Sequence, residues 1–160
     1  MATGCHTLQI YNGVYKEAVG TVRCPDDNGL QLSRELQHSQ TKSWTDGTVK
    51  DNIGAHAYTI RTADDNEEKS IRGSGGMPGD PMTMTSLRAE HFGVLVVIAM
   101  LDIVTIIHGN KNILGKHTHY TDSKAVITRL QEYQYMTDKQ YDCTDYDVWK
   151  ATEEAMQVEP

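Results

Sequence analysis

The stretch Trp44-Thr45-Asp46-Gly47-Thr48-Val49-Lys50-Asp51 decides the fold class of this 160-residue chain. A strand is predicted to begin near Lys42 and to lead into this stretch, with Asp46 close to its end. The next segment, residues 53 to 61, alternates in polarity and is rich in residues that favour β-strands. The two segments together therefore predict a β-hairpin.

The residues after the hairpin predict one more strand and then a long helix. An acidic turn at 64–68 precedes a short strand at 69–72, and a glycine-rich loop is predicted at 73–81. Thr85 or Ser86 can cap a helix whose apolar positions recur at three- and four-residue steps as far as about His108.

The last third of the chain predicts a strand and two further helices. Residues 116–121 alternate as a strand that ends at Asp122 and Ser123, either of which can begin a helix. A final helix is predicted from residue 146 to about 158. The order β-β-β-α-β-α-α predicts an α/β fold with a mixed sheet, in which three antiparallel strands are joined by a parallel fourth and helices pack on the sheet.

The predicted organisation is one domain, residues 42–160, after a segment of uncertain role. Residues 1–41 are assigned to an upstream linker or to the remnant of a neighbouring domain, because their apolar content is low. A chain of this length has room for one α/β domain with a core, but two would be small.

Composition narrows the partners and the compartment. The net charge of -7 excludes a broadly basic surface for nucleic acid, so that any such contact has to be local or mediated by metal. The three cysteines form no C-x-x-C pair, which favours a reduced intracellular compartment, either cytoplasmic or nuclear. The apolar run 92–107 is interrupted by Asp102 and falls short of the roughly 20 residues of a membrane span, so a buried core helix is predicted.

Three acidic residues stand where an ordinary surface carboxylate is less expected. Asp46 and Asp122 each end a predicted strand, and Glu90 shares the apolar stripe of the long helix. If the two strands are parallel neighbours, their ends lie at the same edge of the sheet. Three converging carboxylates repel one another unless a hard cation such as Mg²⁺ or Mn²⁺ neutralises them. Taken singly, each acid is better explained as a turn residue, a helix cap or a helix-dipole partner.

Three runs in the same order resemble the ribonuclease H family, and in particular the domain found downstream of reverse transcriptase in retroelement polyproteins. They are Trp44 to Asp51, then Ser86-Leu87-Arg88-Ala89-Glu90-His91-Phe92-Gly93, then Tyr120-Thr121-Asp122-Ser123-Lys124-Ala125. The resemblance covers roughly residues 42–158, and its specificity lies in the ordered set.

The resemblance implies a metal-dependent endonuclease that hydrolyses the RNA strand of an RNA–DNA hybrid. Asp46, Glu90 and Asp122 would be catalytic and would bind Mg²⁺ or Mn²⁺. Gly47, Thr48 and Ser123 beside them would contact the substrate. A reverse transcriptase domain in the same polyprotein is the expected partner, and no membrane is involved.

The chain departs from the family pattern at its end. Family members continue past the last helix into a further strand and a loop bearing a histidine and a fourth acid, and the final strand and helix are expected to be lacking here, since the sequence ends at Pro160. The expectation is therefore a C-terminally truncated domain with an incomplete site and an exposed strand edge. Asp142, Asp145 and Asp147 are nearby acids, for which helix capping is the preferred role.

Other interpretations remain open. A non-catalytic ribonuclease H-like module with a structural or nucleic-acid-holding role is the main alternative. A haloacid-dehalogenase phosphatase is disfavoured because its nucleophilic aspartate would stand where Trp44 is. The glycine-rich loop at 73–79 lacks the lysine of a phosphate-binding loop. His117 and His119 share one strand face and could bind a metal, but without a third ligand they are expected to be surface residues.

Overall fold

Five strands form one mixed sheet in the computed structural model, which describes residues 19–110, 115–132 and 146–156. The order across the sheet is β1-β4-β3-β2-β5, with β2 at the junction between its antiparallel part and its parallel pair. The strands are β1 (Thr21–Arg23), β2 (Gln40–Lys50), β3 (Ile53–Thr62), β4 (Ile71–Gly76) and β5 (Lys116–Tyr120).

The predicted hairpin is confirmed as β2 and β3. Lys50 pairs with Ile53, so the turn consists of two residues, Asp51 and Asn52, whose φ angles are 51° and 61°. Two successive positive φ angles define the tight turn that matches the twist of paired strands, and Asp and Asn tolerate this conformation. In β3 the buried positions alternate from Gly54 to Thr62, as a sheet covered on one face requires.

The parallel pair on which the site depends is also confirmed. β5 lies beside β2 in a parallel register that runs from Gln40 opposite Lys116 to Trp44 opposite Tyr120. The parallel pairing ends at Trp44 and Tyr120, and Asp46 and Asp122 each follow two residues later at the same side of the sheet. Asp46 lies within β2, which continues to Lys50, so its predicted place near the end of the strand is wrong.

Four helices accompany the sheet in the described part of the chain. The longest, α2, begins after Thr85, whose hydroxyl accepts a hydrogen bond from the Arg88 N–H at 3.0 Å. It packs on β2 and β3, and both α1 and α4 pack against it. The helices are α1 (Leu30–His38), α2 (Ser86–Ile107), α3 (Lys124–Glu132) and α4 (Tyr146–Met156).

Helix α2 is long and apolar enough to cross a membrane by length and composition alone. In this fold, however, most of its apolar segment is buried against the sheet and the other helices, in agreement with the core helix predicted for residues 92–107. The main core is formed by residues of β3, β4, α1, α2 and α4, together with Val19: Val19, Leu32, Leu36, Tyr58, Ile60, Ile71, Phe92, Val96, Val97, Met100, Leu101, Ile103, Val104 and Val148.

The structure extends the predicted domain toward the N-terminus. β1 pairs with β4, and α1 buries Leu32 and Leu36 in the main core, although both elements lie in the segment assigned to a linker. A nine-residue helix with two core leucines adds enough burial to belong to the domain despite its polar surroundings. The predicted role of residues 1–18 lies outside the described residues, as does the predicted end of the last helix near residue 158.

The glycine-rich segment is only partly a loop. Its first four residues, 73–76, continue β4 beyond the predicted end at Arg72. Gly73 is required there by packing, since a Cβ atom would lie 2.4 Å from the Tyr58 side chain. The glycines thus admit an aromatic ring from the neighbouring strand, a contact that the prediction of a flexible connection did not anticipate.

Candidate metal centre

Asp46, Glu90 and Asp122 come together in the structure. Asp46 lies on β2, Glu90 in the second turn of α2 and Asp122 two residues after β5. One ligand atom from each of the three residues lies within 4.8 Å of the others. This convergence follows from the parallel pairing of β2 with β5 and from the packing of α2 on β2.

Gly47 allows α2 to approach the strand closely enough for Glu90 to reach the cluster. A Cβ atom at Gly47 would lie 2.5 Å from the carbonyl carbon of Ala89 and 2.5 Å from the nitrogen of Glu90. Any side chain would therefore push the helix away from β2. The Gly47 N–H also donates a hydrogen bond to the Glu90 carboxylate.

Glu90 is held in an environment that disfavours its negative charge. The residue is only 9% exposed, and burial raises the pKa of its carboxyl above the ordinary value. The negative charges of Asp122 and Asp46 raise this pKa further, whereas hydrogen bonds from the Gly47 N–H and the Thr121 hydroxyl partly offset the rise. The site therefore favours a bound cation beside Glu90.

The donor set fits a hard divalent cation. Oε2 of Glu90 is buried and has no hydrogen-bond partner among the described residues. A buried carboxylate oxygen without a partner is costly, and a cation held jointly with Asp46 and Asp122 would satisfy it. All three donors are carboxylate oxygens, which Mg²⁺ and Mn²⁺ prefer.

A shallow groove of about 360 Å³ runs beside the carboxylates. Trp44 and Tyr120 line it and stack with their ring centres 5.2 Å apart and their planes 11° from parallel. The guanidinium carbon of Arg61 lies 5.2 Å from the centre of the Trp44 ring. Trp44, which occupies the position of a phosphatase nucleophile, is thus one of two stacked aromatic residues that line the groove.

The three predicted substrate contacts take different positions. Thr48 is exposed on β2, one residue beyond Gly47. Gly47 faces α2, so its part in the site is to admit the helix and to bind Glu90. Ser123 precedes α3, and its hydroxyl accepts a hydrogen bond of 3.4 Å from the Val126 N–H. Their predicted contact with substrate stays a prediction.

No role was assigned from the sequence to Thr121, which contacts Glu90, or to Arg88, which lies two residues before Glu90 on the same helix. The Thr121 hydroxyl donates to Glu90 and accepts a hydrogen bond of 3.2 Å from the Ser123 N–H. Arg88 is buried and forms a two-pronged ion pair with Asp147 of α4, in which Nη2 and Oδ2 are 2.6 Å apart. Thr121 is the first residue of the run Thr121-Asp122-Ser123 and so is readable from the sequence, but a partner 59 residues away from Arg88 is not.

Asp147 is the one candidate for a fourth acid that the described residues include, and it does not join the three carboxylates. Asp147 is bound to Arg88, and this hydrogen bonding lowers the pKa of Asp147 below its usual value. Within residues 19–110, 115–132 and 146–156, no fourth acid, histidine or cysteine joins the three carboxylates. Asp142 and Asp145 fall outside the described residues.

His117 and His119 are half-buried between strands, so the expectation of surface residues is wrong. Hydrogen bonds of 2.8 Å join Thr41 Oγ1 to His117 Nδ1 and His117 Nε2 to Ser43 Oγ. The same Ser43 oxygen is 2.8 Å from His119 Nδ1, and His119 Nε2 is 3.2 Å from Thr45 Oγ1. We call these five residues the imidazole ladder. All four ring nitrogens bind hydroxyl groups, which leaves none for a metal.

The imidazole ladder predicts acid sensitivity. Burial lowers the pKa of both histidines to about 4, and at His119 the neighbouring His117 adds to the decrease. Between pH 6.5 and 4 the unfolded chain therefore binds more protons than the folded protein, and the free energy of unfolding falls as the pH falls. The slope for one histidine is at most about 1.4 kcal/mol per pH unit.

Urea unfolding at pH 7.5, 6.0 and 5.0 measures this slope. The double variant His117→Gln and His119→Gln should show a smaller decrease over the same range, whatever its stability at pH 7.5. An equal decrease in the variant and the unaltered protein would show that other groups cause the acid sensitivity.

The fold and the site together define an α/β protein with a mixed five-stranded sheet and a cluster of three carboxylates at the end of its parallel pair. A comparison with models of known protein families finds no match, and no curated protein matches the sequence. The activity therefore has to be argued from the site itself.

Proposed function

We propose that this protein is a ribonuclease H-like, metal-dependent endonuclease that hydrolyses the RNA strand of an RNA–DNA hybrid. The observation that carries the proposal is the convergence of Asp46, Glu90 and Asp122 within 4.8 Å of one another. Carboxylate clusters that bind Mg²⁺ or Mn²⁺ are the recurring sites of phosphodiester hydrolysis.

The topology supports the same proposal. The antiparallel strands β2, β3 and β4 are followed by the crossing helix α2 and the parallel strand β5. Asp46 lies on β2, Glu90 on α2 and Asp122 just after β5. This is the order in which the three sequence runs resemble the ribonuclease H family. The choice of a hybrid substrate, the reverse transcriptase partner and the intracellular location rest on that resemblance.

The protein's own groups would each have a distinct part in the reaction. Bound divalent cations would supply Lewis acidity and a water activated for attack on phosphorus. Asp46 on β2 and Asp122 two residues after β5 offer ligand oxygens, and the pairing of the two strands brings them together. The Gly47 N–H and the Thr121 hydroxyl orient the Glu90 carboxylate, so that its buried Oε2 remains available as a ligand.

The groove beside the carboxylates suits a nucleic acid strand only when a cation is present. The protein carries a net charge of -7, and Asp46 and Asp122 line the groove together with Trp44 and Tyr120. A phosphate would be repelled by the carboxylates alone, whereas a bound cation reverses the local charge. Activity should therefore depend strictly on the metal.

Cleavage of an end-labelled RNA–DNA hybrid tests the proposal. With Mg²⁺ or Mn²⁺ the RNA strand should be cut at internal positions, and excess EDTA should stop the reaction. The same RNA as a single strand and a DNA duplex of equal sequence serve as matched substrates. Cleavage of DNA duplex alone would move the proposal to another nuclease class, and no cleavage of any substrate would favour the non-catalytic module.

A further inference from the structure

The parallel strand β5, which ends two residues before Asp122, is short and is the outermost strand of the sheet in the described part of the chain. β5 has five residues and, in the described part of the chain, pairs only with β2. Backbone hydrogen bonds repeat along a strand, so they alone do not select one register over another. A slip of two residues would keep every side chain on its face but would move Asp122 by about 6.6 Å. That distance exceeds the 4.8 Å separation within the carboxylate cluster.

The imidazole ladder distinguishes these registers. Each histidine of β5 sits between two hydroxyl groups of β2, and Ser43 is shared by both rings. A two-residue slip toward the end of β2 would place His119 between Thr45 and Gly47, and Gly47 has no hydroxyl group. One ring nitrogen would then be buried without a partner, which disfavours that register.

The burial of the hydroxyl groups increases the energetic difference between the observed register of β5 and a slipped register. Thr41 is 1% exposed, Ser43 0% and Thr45 7%, so water cannot readily replace a missing imidazole partner. A neutral imidazole donates through one nitrogen and accepts through the other, which matches a hydroxyl on either side. A two-residue slip the other way would place His117 between Ser39 and Thr41, and would leave the buried Thr45 hydroxyl without its imidazole partner. The observed register is therefore the one in which both rings and all three buried hydroxyl groups of β2 are paired.

We propose that His117 and His119 are positioning residues, which through Ser43 lock the register of β5 on β2 and thereby hold Asp122 beside Asp46. The inference rests on the proposed function, because the site that the ladder positions is the proposed metal centre. It adds a requirement that the three carboxylates do not explain: the metal affinity depends on hydroxyl and imidazole groups that do not contact the metal.

Ser43→Ala tests the ladder with the smallest change, since it removes one oxygen and two of the four hydrogen bonds. Ser33→Ala is the matched control. Ser33 lies in α1 and is also 0% exposed. Its hydroxyl accepts a hydrogen bond from Asn110, which lies outside β2 and β5. The probes are Mn²⁺ alone, titrated by calorimetry, and hydrogen exchange of the backbone amides in β5.

Ser43→Ala should weaken Mn²⁺ binding at least about fivefold, since residues that orient metal ligands commonly change affinity about 10–100-fold and Ser43 acts one step further away. It should also speed amide exchange in β5. Ser33→Ala should change neither, even if it lowers the stability equally. Thr45→Val, which removes only the last bond of the ladder, should change both readouts in the same direction and serves if Ser43→Ala does not fold.

Equal Mn²⁺ affinity and equal β5 exchange in Ser43→Ala and Ser33→Ala would overturn the inference. A failure of the proposed function would look different, because the unaltered protein would then bind no Mn²⁺. In that case faster β5 exchange in Ser43→Ala would still support the register lock, and unchanged exchange would overturn it.

Discussion

Metal-dependent RNA cleavage is expected to fall at least about a thousandfold in the Asp46→Asn variant, because a bound cation contributes several kcal/mol to stabilising the transition state and about 1.4 kcal/mol is tenfold in rate. Asparagine keeps the size of the side chain but removes the charged ligand. The same loss is expected for Glu90→Gln and Asp122→Asn. Initial rates on a labelled RNA–DNA hybrid measure it.

The stability of the same variant should change in the opposite sense. Without metal, Asp46→Asn removes one of three neighbouring negative charges, so its Tm should be equal to or higher than that of the unaltered protein. With metal at about 100 times Kd, the unaltered protein should gain about 2.7 kcal/mol, and the variant should gain much less. If Asp46→Asn were less stable than the unaltered protein without metal and yet cleaved the hybrid fully with metal, the site would be assigned wrongly.

Asp51→Asn is the matched control for this experiment. It makes the same chemical change and the same change in net charge, five residues away in the turn between β2 and β3. Asparagine tolerates the positive φ of 51° at that position. Cleavage and the metal-dependent gain in Tm should therefore remain as in the unaltered protein, and a loss of either would point to a general effect of charge.

Gly47→Ala is expected to destabilise the fold by about 3 kcal/mol or more, which lowers Tm by about 6–12 °C for a chain of this size. The added Cβ would lie 2.5 Å from backbone atoms of Ala89 and Glu90, and backbone cannot rotate away as a flexible side chain can. Helix α2 has to move outward and take Glu90 with it. Thermal unfolding and Mn²⁺ titration measure the two consequences.

Gly76→Ala provides the comparison for the same substitution in a strand. A Cβ atom at Gly76 would meet only the Gly54 carbonyl oxygen, at 4.0 Å. This variant should differ from the unaltered protein by no more than about 0.5 kcal/mol and should bind Mn²⁺ normally. If Gly47→Ala were equally harmless, the close approach of α2 to β2 would not be what positions Glu90.

The supporting residues could not be found by reading the chain alone. Thr41, Ser43 and Thr45 alternate on one strand, as do His117 and His119 on another, but both patterns are also typical of half-exposed strands. Only the register that places Ser43 opposite His119 shows that the two sets interlock. The pairing of Arg88 with Asp147 likewise depends on how α4 packs against α2.

The two elements before the hairpin, β1 and α1, also could not be predicted from local sequence patterns. Leu32 and Leu36 are four residues apart, which suits one face of a short helix, yet the polar surroundings hid the signal. The strand Thr21–Arg23 has three residues and no alternation to detect. Its place in the sheet comes from pairing with β4, a partner that lies about 50 residues away.

Local sequence patterns were enough to predict most of the helices and strands and to single out the three acidic residues. Alternation, capping residues and turn chemistry are properties of neighbouring residues, so the order from β2 to α4, the hairpin and the three carboxylates as a candidate set were readable from the sequence. The tertiary structure decided what those acids face, because burial, repulsion and register arise between residues distant in the chain. It alone buried Glu90, brought α2 against Gly47 and aligned the histidines of β5 with the hydroxyl groups of β2.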